Sequence, residues 1–260
     1  MELDNLYLEL TRNCTLQCEH CLKGEREAKD MSLETIDLIF KDIKKINTLL
    51  LSGGEPLINK KALEYIAQLI DEKGIKVNRI GLITNGTICN KKIIEILQEL
   101  KKRCDSFQFI LSSDLFHRLE WDRLNIKERI DNNYEIYKKT LSMKKYLDDD
   151  RFHSVVLCNK GRALGLTKDR LHEITRNQYI DFKMKDIVED SLELDDYKVH
   201  GKVFFDVNGN LGYYSNSFKE EDLNSDSLYN IHYYDLIDII NNYINRDTKI
   251  KEKEKVLSFN

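Results

Sequence analysis

The chain has 260 residues, of which 41% are hydrophobic and 33% are charged, a composition typical of a folded rather than a disordered protein. Its net charge of −4 gives no basic field that would attract nucleic acid or an anionic membrane surface. The apolar runs are strand-sized, well short of a membrane helix of ~20 residues, and the N-terminus lacks a secretory pattern. We therefore expect a cytoplasmic protein without nucleic-acid or membrane partners, whose six cysteines are reduced.

Short apolar runs alternate with segments of helical periodicity as far as about residue 165. The runs predict strands over 6–10, 48–52, 79–84, 107–112 and 152–158. The first predicted helix is capped by Ser32 and has an apolar stripe at Ile36, Ile39, Phe40, Ile43 and Ile46. A second helix carries Leu63, Ile66, Ala67 and Ile70 and ends at Gly74, and further helices are predicted near 90–102 and 125–147. Five strand–helix alternations favour parallel βα units, in an open sheet or a partial barrel.

The pattern changes in the last third of the chain. Residues 167–196 are charged and weakly patterned. In the stretch "KVFFDVNGNLGYY" (202–214), Asn208-Gly209 between two apolar runs predicts a type I′ hairpin, and a helix is predicted over 228–244. We therefore predict two regions, a main one over 1–190 and a C-terminal hairpin–helix extension over 191–260.

Three cysteines follow the first predicted strand with the spacing Cys14-x3-Cys18-x2-Cys21. Thiolates are soft ligands that bind iron–sulfur clusters, zinc or copper. A structural zinc site takes four ligands, and His20 is poorly placed as the fourth because it is adjacent to Cys21. Three thiolates suit a cubane cluster, with the fourth iron left open to bind another molecule. The spacing alone leaves a zinc loop or three buried thiols open.

Two glycine-containing turns follow the next two predicted strands. "LSGGEPL" (51–57) contains the chain's single proline, Pro56, and its paired glycines let backbone approach a ligand closely. "LITNGT" (82–87) contains Asn85-Gly86. Each is an ordinary turn when taken alone. With the cysteine loop, however, they lie at the carboxyl ends of three successive strands, where α/β folds build their sites.

In this order, the three motifs resemble the radical S-adenosylmethionine superfamily over about residues 5–165. The resemblance implies an α/β fold, a partial (β/α)6 barrel with a small C-terminal α+β extension. It implies one [4Fe-4S] cluster on Cys14, Cys18 and Cys21, and S-adenosylmethionine chelated by the open iron. It also implies reductive cleavage of S-adenosylmethionine to a 5′-deoxyadenosyl radical, which abstracts hydrogen from a substrate.

The resemblance also implies roles for individual residues around S-adenosylmethionine. His20 would lie beside the adenine; alternatively it is a partly exposed loop histidine. The cofactor-binding residues of the two glycine turns would be Gly53, Gly54 and Glu55 at the methionine amino group, Pro56 fixing the turn, and Asn85.

The fourth strand and its following helix supply the remaining candidates. Ser112 and Asp114 resemble the family's ribose-contacting pair, although Ser and Asp also favour helix N-caps. The resemblance also implies an arginine at the methionine carboxylate. Arg118, Arg123 and Arg129 lie in the corresponding region and Arg123 fits the family spacing best; a solvated helix face is the ordinary alternative.

The resemblance is strongest to the peptide-modifying branch of the superfamily. The histidine before the third cysteine and the "GRALGL" turn (161–166) both resemble that branch, so a peptide or protein substrate is preferred. No cysteine follows Cys158, and Ser215 stands where that branch would place one, so we expect no C-terminal auxiliary cluster. An external electron donor, flavodoxin or ferredoxin, is then required.

Other functions remain open at this point. They are a radical enzyme acting on a small molecule or nucleotide, an activase of a glycyl-radical enzyme, and a non-enzymatic iron–sulfur redox sensor or scaffold. No catalytic residue is identified. Of the scattered Cys89, Cys104 and Cys158, Cys158 at a strand end is a weak candidate for a hydrogen donor, since free cysteine is usually a small buried hydrophobe.

Overall fold

A mostly parallel six-stranded sheet carries the core of the protein. The computed structural model describes residues 1–141, 154–158, 161–175, 181–185, 192–211 and 229–245. The strands are β1 (Glu2–Glu9), β2 (Lys45–Ser52), β3 (Lys76–Thr84), β4 (Ser106–Leu111), β5 (Ser154–Cys158), β6 (Asp181–Lys185), β7 (Glu193–Asp195) and β8 (Lys198–Phe205). The α-helices are α1 (Leu33–Phe40), α2 (Lys60–Glu72), α3 (Lys91–Lys102), α4 (Leu115–Arg123), α5 (Lys127–Leu141) and α6 (Lys168–Thr175). Two 3₁₀-helices span Pro56–Ile58 and Gly161–Gly165, and residues 236–245 are also helical.

The sheet has the strand order β4-β3-β2-β1-β8-β7, and only β7 is antiparallel to its neighbour. In the two central pairings, Leu6 of β1 lies opposite Leu49 of β2 and Val203 of β8, and all three side chains are fully buried. A strand covered on both faces tends to be apolar throughout, which explains the run Leu49-Leu50-Leu51 in β2. Since β1 to β4 are parallel, the loops after them all leave from one edge of the sheet.

The predicted α/β class is confirmed, with strands β1 to β4 side by side in chain order. Within the described residues, β5 pairs in parallel with β6 in a separate two-stranded sheet rather than with β4. β8 occupies the other edge of β1, so the strand of the predicted C-terminal hairpin belongs to the main sheet. The boundary at 190/191 remains a prediction.

The first predicted helix is shorter than its apolar stripe indicates. Ser32 caps α1 as predicted, its Oγ accepting the Thr35 N–H at 3.0 Å, but the helix ends at Phe40. Ile46 lies instead in β2, between Leu3 of β1 and Val77 of β3. The apolar spacing of the sequence continues from α1 into β2 because residues on both sides of the junction are buried in the same core.

The Asn208-Gly209 turn is not of type I′. That type requires positive φ at both central residues, and of these two only Gly209 has it, at +78°. The Gly209 N–H donates to the Asp206 carbonyl at 3.0 Å, and the Asp206 carboxylate accepts the Asn208 and Asn210 N–H groups at 2.8 and 3.0 Å. The carboxylate therefore builds this turn, whose strands close through a bridge between Phe205 and Leu211. Residues 212–214 of the predicted hairpin lie outside the described residues.

The other helix predictions hold with changed bounds. Helix α2 ends before Gly74, whose φ is +59°, as predicted. The helix expected over 125–147 corresponds to α5, and its last residues lie outside the described part of the chain. Helix α4 follows the fourth strand as expected, whereas β6 and α6, in the weakly patterned segment, were missed. No helix among the described residues has the length and apolarity needed to cross a membrane.

Candidate functional site

The three motif cysteines lie on one loop after β1 and line a single cavity of about 350 Å³. All three thiols are free. The Cys21 N–H donates to the Cys18 carbonyl at 3.1 Å and the Gly24 N–H to the Cys21 carbonyl at 3.2 Å, so the loop turns tightly around the thiols. The other residues that line the cavity are Arg12, Leu16, His20, Leu22, Lys23, Gly24, Glu25, Arg26, Ser52, Gly53, Gly54, Ile83, Thr84, Asn85, Ser112, His117 and Arg162.

The cysteine loop rests on a small apolar cluster of its own. Leu16 and Cys18 pack with Phe116 and Trp121 of α4 and with Ile130 of α5, all nearly buried. Burial raises the pKa of the Cys14 and Cys18 thiols above the ordinary value. A metal that binds there must therefore displace the thiol protons, so binding would release protons.

Gly53 and Gly54 are required by close contact with the cysteine loop. A Cβ on Gly53 would collide with the Thr11 carbonyl oxygen, and one on Gly54 with the Asn13 carbonyl oxygen. Gly53 also has φ +151°, which disfavours other residues. The Gly54 N–H donates to the Thr11 carbonyl at 2.6 Å. Both glycines line the cavity, so this turn holds the loop and leaves room for a ligand.

Glu55 and Pro56, by contrast, are not among the cavity-lining residues. The Glu55 carboxylate is fully buried and accepts hydrogen bonds from Thr84 Oγ1 at 2.8 Å, the Asn85 N–H at 2.7 Å and the Leu57 N–H at 3.2 Å. Burial raises its pKa to about 7. Glu55 thus joins the end of β2 to the end of β3 instead of facing a ligand with its carboxylate, and Pro56 starts the 3₁₀-helix.

Asn85 connects the end of β3 to the cysteine loop. Its Nδ2 donates to Cys14 Sγ at 3.4 Å and to Thr15 Oγ1 at 3.0 Å, while its Oδ1 accepts the Thr87 N–H at 3.0 Å and the Thr87 hydroxyl at 2.7 Å. Thr15 and Thr87 also share a hydrogen bond of 2.5 Å. Asn85 therefore reaches a cysteine sulfur directly, which the sequence did not predict.

His20 lies in an aromatic and acidic group at the cavity wall. Its ring stacks on Phe116 at 4.5 Å between centroids and meets His117 edge-on at 5.2 Å. Asp114 Oδ2 lies 2.7 Å from His117 Nδ1 and 3.4 Å from His20 Nε2, and the histidines hold the pKa of Asp114 well below its usual value against the effect of burial. His20 Nδ1 is buried without a hydrogen-bond partner, which leaves one ring nitrogen for a ligand.

Ser112 and Asp114, the two residues expected to contact the ribose, have different surroundings in the structure. Ser112 lines the cavity and its N–H donates to the Thr84 carbonyl at 2.8 Å. Asp114 is the N-cap of α4, its Oδ1 accepting the Phe116 and His117 N–H groups at 3.0 and 3.2 Å. The capping alternative is thus confirmed for Asp114, whose oxygens are already engaged.

Arg123 is not at the cavity, contrary to the prediction. Its guanidinium is bidentate to Glu120, with both N···O distances at 2.9 Å, and its side chain is 58% exposed. Glu120 in turn accepts the Gln17 N–H at 3.3 Å and so anchors the cysteine loop. Arg123 therefore lies on an exposed helix face, the alternative given above.

Two further arginines, Arg162 and Arg170, hold the cysteine loop through hydrogen bonds. Arg162 of the "GRA" turn donates from Nε to the Cys18 carbonyl at 3.0 Å and from its backbone N–H to the Cys21 carbonyl at 2.9 Å. Arg170 of α6 is bidentate to Glu19, at 2.9 and 2.5 Å. The "GRA" motif indicated Arg162, but nothing in the sequence indicated that Glu120 and Arg170 would contact the loop, Arg170 through Glu19.

The cavity wall carries four cationic side chains, Arg12, Lys23, Arg26 and Arg162. Lys23 Nζ is 3.0 Å from Glu9 Oε1, and Glu9 is fully buried at the end of β1. Burial lowers the pKa of Lys23. Arg12 is also paired with Glu27 at 2.8 Å and Arg162 with Glu25 at 3.6 Å, so three of these four cations have a carboxylate partner within the protein.

The remaining cysteines lie outside the cavity lining or are described by backbone alone. Cys89 and Cys104 are half-buried and free. Cys158 is the last residue of β5, and its side chain lies outside the described part of the structure. Its assignment as a hydrogen donor remains a prediction.

Comparison with known proteins identifies the family. The family model of the Radical SAM superfamily matches residues 8–143, more than half of the chain. The chain therefore belongs to the Radical SAM superfamily. A [4Fe-4S] cluster and S-adenosylmethionine are accordingly its cofactors, and the sequence prediction of this superfamily is confirmed.

Among curated proteins, the chain is 26% identical over 174 residues to GTP 3′,8-cyclase of Clostridium perfringens (strain SM101 / Type A), covering 61% of this chain and 53% of that protein. It is 27% identical over 192 residues to molybdenum cofactor biosynthesis protein 1 of Dictyostelium discoideum, covering 68% and 29%. The chain thus spans about half the length of the first relative and less of the second.

Among solved structures, native anSMEcpe with bound AdoMet and Cp18Cys peptide matches with a TM-score of 0.56, covering 95% of this chain and 82% of that one. The sequence identity is 14%, so the likeness supports the fold alone.

The residues present fit the two cofactors chemically. Three free thiols on one loop form a soft donor set for three irons of a cubane. The neighbouring turn has glycines where any Cβ would strike the loop, and a buried histidine nitrogen and several cations face the same space.

Proposed function

We propose that the chain is a radical S-adenosylmethionine enzyme whose cluster is bound by Cys14, Cys18 and Cys21. The observation that carries the proposal is that all three free thiols line one cavity together with the Gly53-Gly54 turn. When bound and reduced, the cluster supplies the electron for cleavage of S-adenosylmethionine, and the adenosyl product then takes hydrogen from the substrate.

The protein's own residues would bind and shield this chemistry. Among the residues that line the cavity, Arg12, Arg26 and Arg162 would hold the methionine carboxylate and Ser112 would hydrogen-bond a ribose hydroxyl. The apolar cluster around Leu16 keeps water away from the thiols on the side of α4. Exclusion of water limits side reactions of a reactive intermediate.

The preferred substrate class is a peptide or protein, with the modification occurring in the cytoplasm and flavodoxin or ferredoxin as the electron donor. The support is the histidine at position 20 and the "GRA" turn, which resemble the peptide-modifying branch. In this chain the turn contacts the cluster loop directly through Arg162. We therefore propose peptide modification as the specific reaction of this enzyme.

A nucleotide or other anionic small molecule is the second candidate. Two observations favour it: the four cationic side chains of the cavity wall, and the curated relatives, which are named for GTP 3′,8-cyclase and molybdenum cofactor biosynthesis. Cationic walls recognise phosphates and carboxylates, whichever molecule carries them.

The chemistry is tested by anaerobic reconstitution with iron and sulfide, followed by dithionite and S-adenosylmethionine. We expect 5′-deoxyadenosine and methionine from the wild type and none from Cys18→Ala. Cys104→Ala is the matched control, since Cys104 lies outside the cavity lining, and should retain activity. Wild-type protein that loads a cluster but neither binds nor cleaves S-adenosylmethionine would instead indicate a redox sensor or scaffold.

The substrate class is tested by measuring which additions accelerate 5′-deoxyadenosine formation. A cellular peptide fraction and a set of nucleoside triphosphates are added separately, and the products are analysed by mass spectrometry. Acceleration by peptides, with a mass change in one of them, supports the peptide proposal. Acceleration by a nucleotide alone would replace it with the second candidate.

A further inference from the structure

The side-chain amide of Asn85 lies against the first of the three cysteine sulfurs. Nδ2 is 3.4 Å from Cys14 Sγ, and the backbone N–H of Leu16 is 3.5 Å from the same sulfur. The side-chain amide of Asn85 thus contacts one sulfur of the proposed cluster ligands directly.

The orientation of this amide is determined by its other partners. The Thr87 backbone N–H, which can only donate, lies 3.0 Å from Asn85 Oδ1, so the atom on that side must be the oxygen. The nitrogen must then face Cys14 and Thr15. The Thr87 hydroxyl, at 2.7 Å, and the Glu55 carboxylate, which accepts the Asn85 N–H at 2.7 Å, hold the residue in place.

We propose that Asn85 is a positioning residue that raises the reduction potential of the cluster through its hydrogen bond to Cys14. An N–H donor stabilises a thiolate ligand more strongly when the cluster carries the extra electron, and hydrogen bonds to cluster sulfurs are known determinants of potential. The step concerned is the transfer of one electron from an external one-electron reductant to the cluster. The inference rests on the cluster ligation in the proposed function but assigns no role to S-adenosylmethionine or substrate.

The rigid setting of Asn85 suits this role better than a role in binding S-adenosylmethionine. Both of its amide hydrogens are directed at the cysteine loop, and its carbonyl oxygen is taken by Thr87. A ligand contact would require breaking one of these bonds. The same geometry keeps the donor fixed while the charge on the sulfur changes, so little reorganisation accompanies reduction.

The test is a redox titration of the reconstituted protein without S-adenosylmethionine, monitored by electron paramagnetic resonance of the reduced cluster. Asn85→Asp keeps the shape and the acceptor for Thr87 but replaces the donor with a carboxylate oxygen, and Asn85→Ala removes the amide. We expect the reduced-to-oxidised ratio at a fixed potential to fall about tenfold or more, equivalent to about 59 mV per tenfold for one electron. The larger fall is expected for Asn85→Asp.

The matched control is Asn78→Asp, which makes the same change near the opposite end of β3. Asn78 hydrogen-bonds Asn47 at 3.0 Å and lies seven residues before Asn85, roughly 20 Å along an extended strand. Its potential should match that of the wild type. Because the signal comes only from chains that hold a cluster, incomplete loading of a variant does not distort the potential.

Two results overturn the inference. Potentials unchanged in both Asn85 variants, whatever their cluster content, would show that the bond only supports the loop. Failure of both variants to hold a cluster, with a normal control, would assign Asn85 to site assembly and reject the tuning role. Failure of the wild type to load a cluster would instead refute the proposed function, so the two failures are distinguishable.

Discussion

Lys23 and Glu9 form an ion pair of 3.0 Å although the Glu9 side chain is fully buried and the Lys23 side chain is 10% exposed. The pair joins the end of the cysteine loop to the end of β1, and Lys23 Nζ also lies 4.8 Å from the centre of the Phe204 ring of β8. Three segments that are distant in sequence therefore meet at one buried charge pair beside the cavity.

Breaking this pair should destabilise the protein more than removing it entirely. Lys23→Met leaves a buried carboxylate whose remaining cationic neighbour is Arg12, at 3.6 Å, so we expect a loss of about 3 kcal/mol. The double variant Lys23→Met/Glu9→Gln removes both charges and should recover part of that loss. Urea unfolding of the cluster-loaded proteins under anaerobic conditions measures both. A loss below about 1 kcal/mol in the single variant would contradict the importance of the pair.

The buried Glu55 carboxylate should make stability depend on pH. Its pKa is raised from 4.5 to about 7, so the folded state binds its proton more tightly than the unfolded state does. Below pH 4.5 the proton on Glu55 stabilises the folded state fully, by at most about 3 kcal/mol. This stabilisation is lost as the pH rises to about 7. The measurement is anaerobic urea unfolding of the wild type and Glu55→Gln between about pH 5 and 8.

The difference between the two proteins isolates Glu55 from other titrating groups. Glu55→Gln loses one acceptor, for the Asn85 N–H, and should be less stable than the wild type at low pH. As the pH rises through 7, the wild type should approach the variant. Parallel pH profiles would show that Glu55 titrates near its ordinary value.

The first half of the fold could be predicted because local patterns and global packing agree there. Each of the strands β1 to β4 contains a short apolar stretch, such as Leu49-Leu50-Leu51 of β2, and α2 and α3 have apolar stripes and terminal signals that match their burial. The pairing of β8 with β1 was not predictable, because it joins residues nearly 200 positions apart. The local sequence of a strand does not indicate which other strand it pairs with. Helix α4 was expected after the fourth strand but its bounds were not, because its inward residues include the charged Glu120 and give no clear apolar stripe.

The candidate site likewise contains some residues that could be predicted from the sequence and others that could not. The cysteines and the two glycines were predicted because each motif lies within a short stretch of sequence. Closely spaced thiols and paired glycines also occur in few kinds of site. Arg123 was predicted from the family resemblance, but its position on α4 places it beside Glu120 instead of at the cavity. The anchoring of the loop by Arg170 depends on how α6 packs, which sequence periodicity does not reveal.

Arg162 should strengthen retention of the cluster without touching it. Its Nε–H bond to the Cys18 carbonyl fixes the backbone between two proposed ligands, and a charge-assisted bond of this kind contributes about 1.5–3 kcal/mol. We expect Arg162→Ala to lose iron at about tenfold lower chelator concentration than the wild type, as measured by iron per chain in a chelator titration. Arg129→Ala, on an exposed position of α5, is the control and should retain iron normally. Equal retention in Arg162→Ala would mean that the loop holds its shape without the arginine.

Gly54 and Gly165 provide a final paired test, because the same substitution should destabilise the protein at the first position and change its stability little at the second. A Cβ at Gly54 meets the backbone of Asn13, which cannot move without displacing the cysteine loop, whereas a Cβ at Gly165 has no neighbour within 4 Å among the described residues. Gly54→Ala should therefore cost about 2–3 kcal/mol through overpacking, and Gly165→Ala should change stability by less than about 1 kcal/mol. Urea unfolding and cluster content are measured on both variants. A Gly54→Ala protein with wild-type stability and full cluster content would show that the glycine is not required by contact with the cysteine loop.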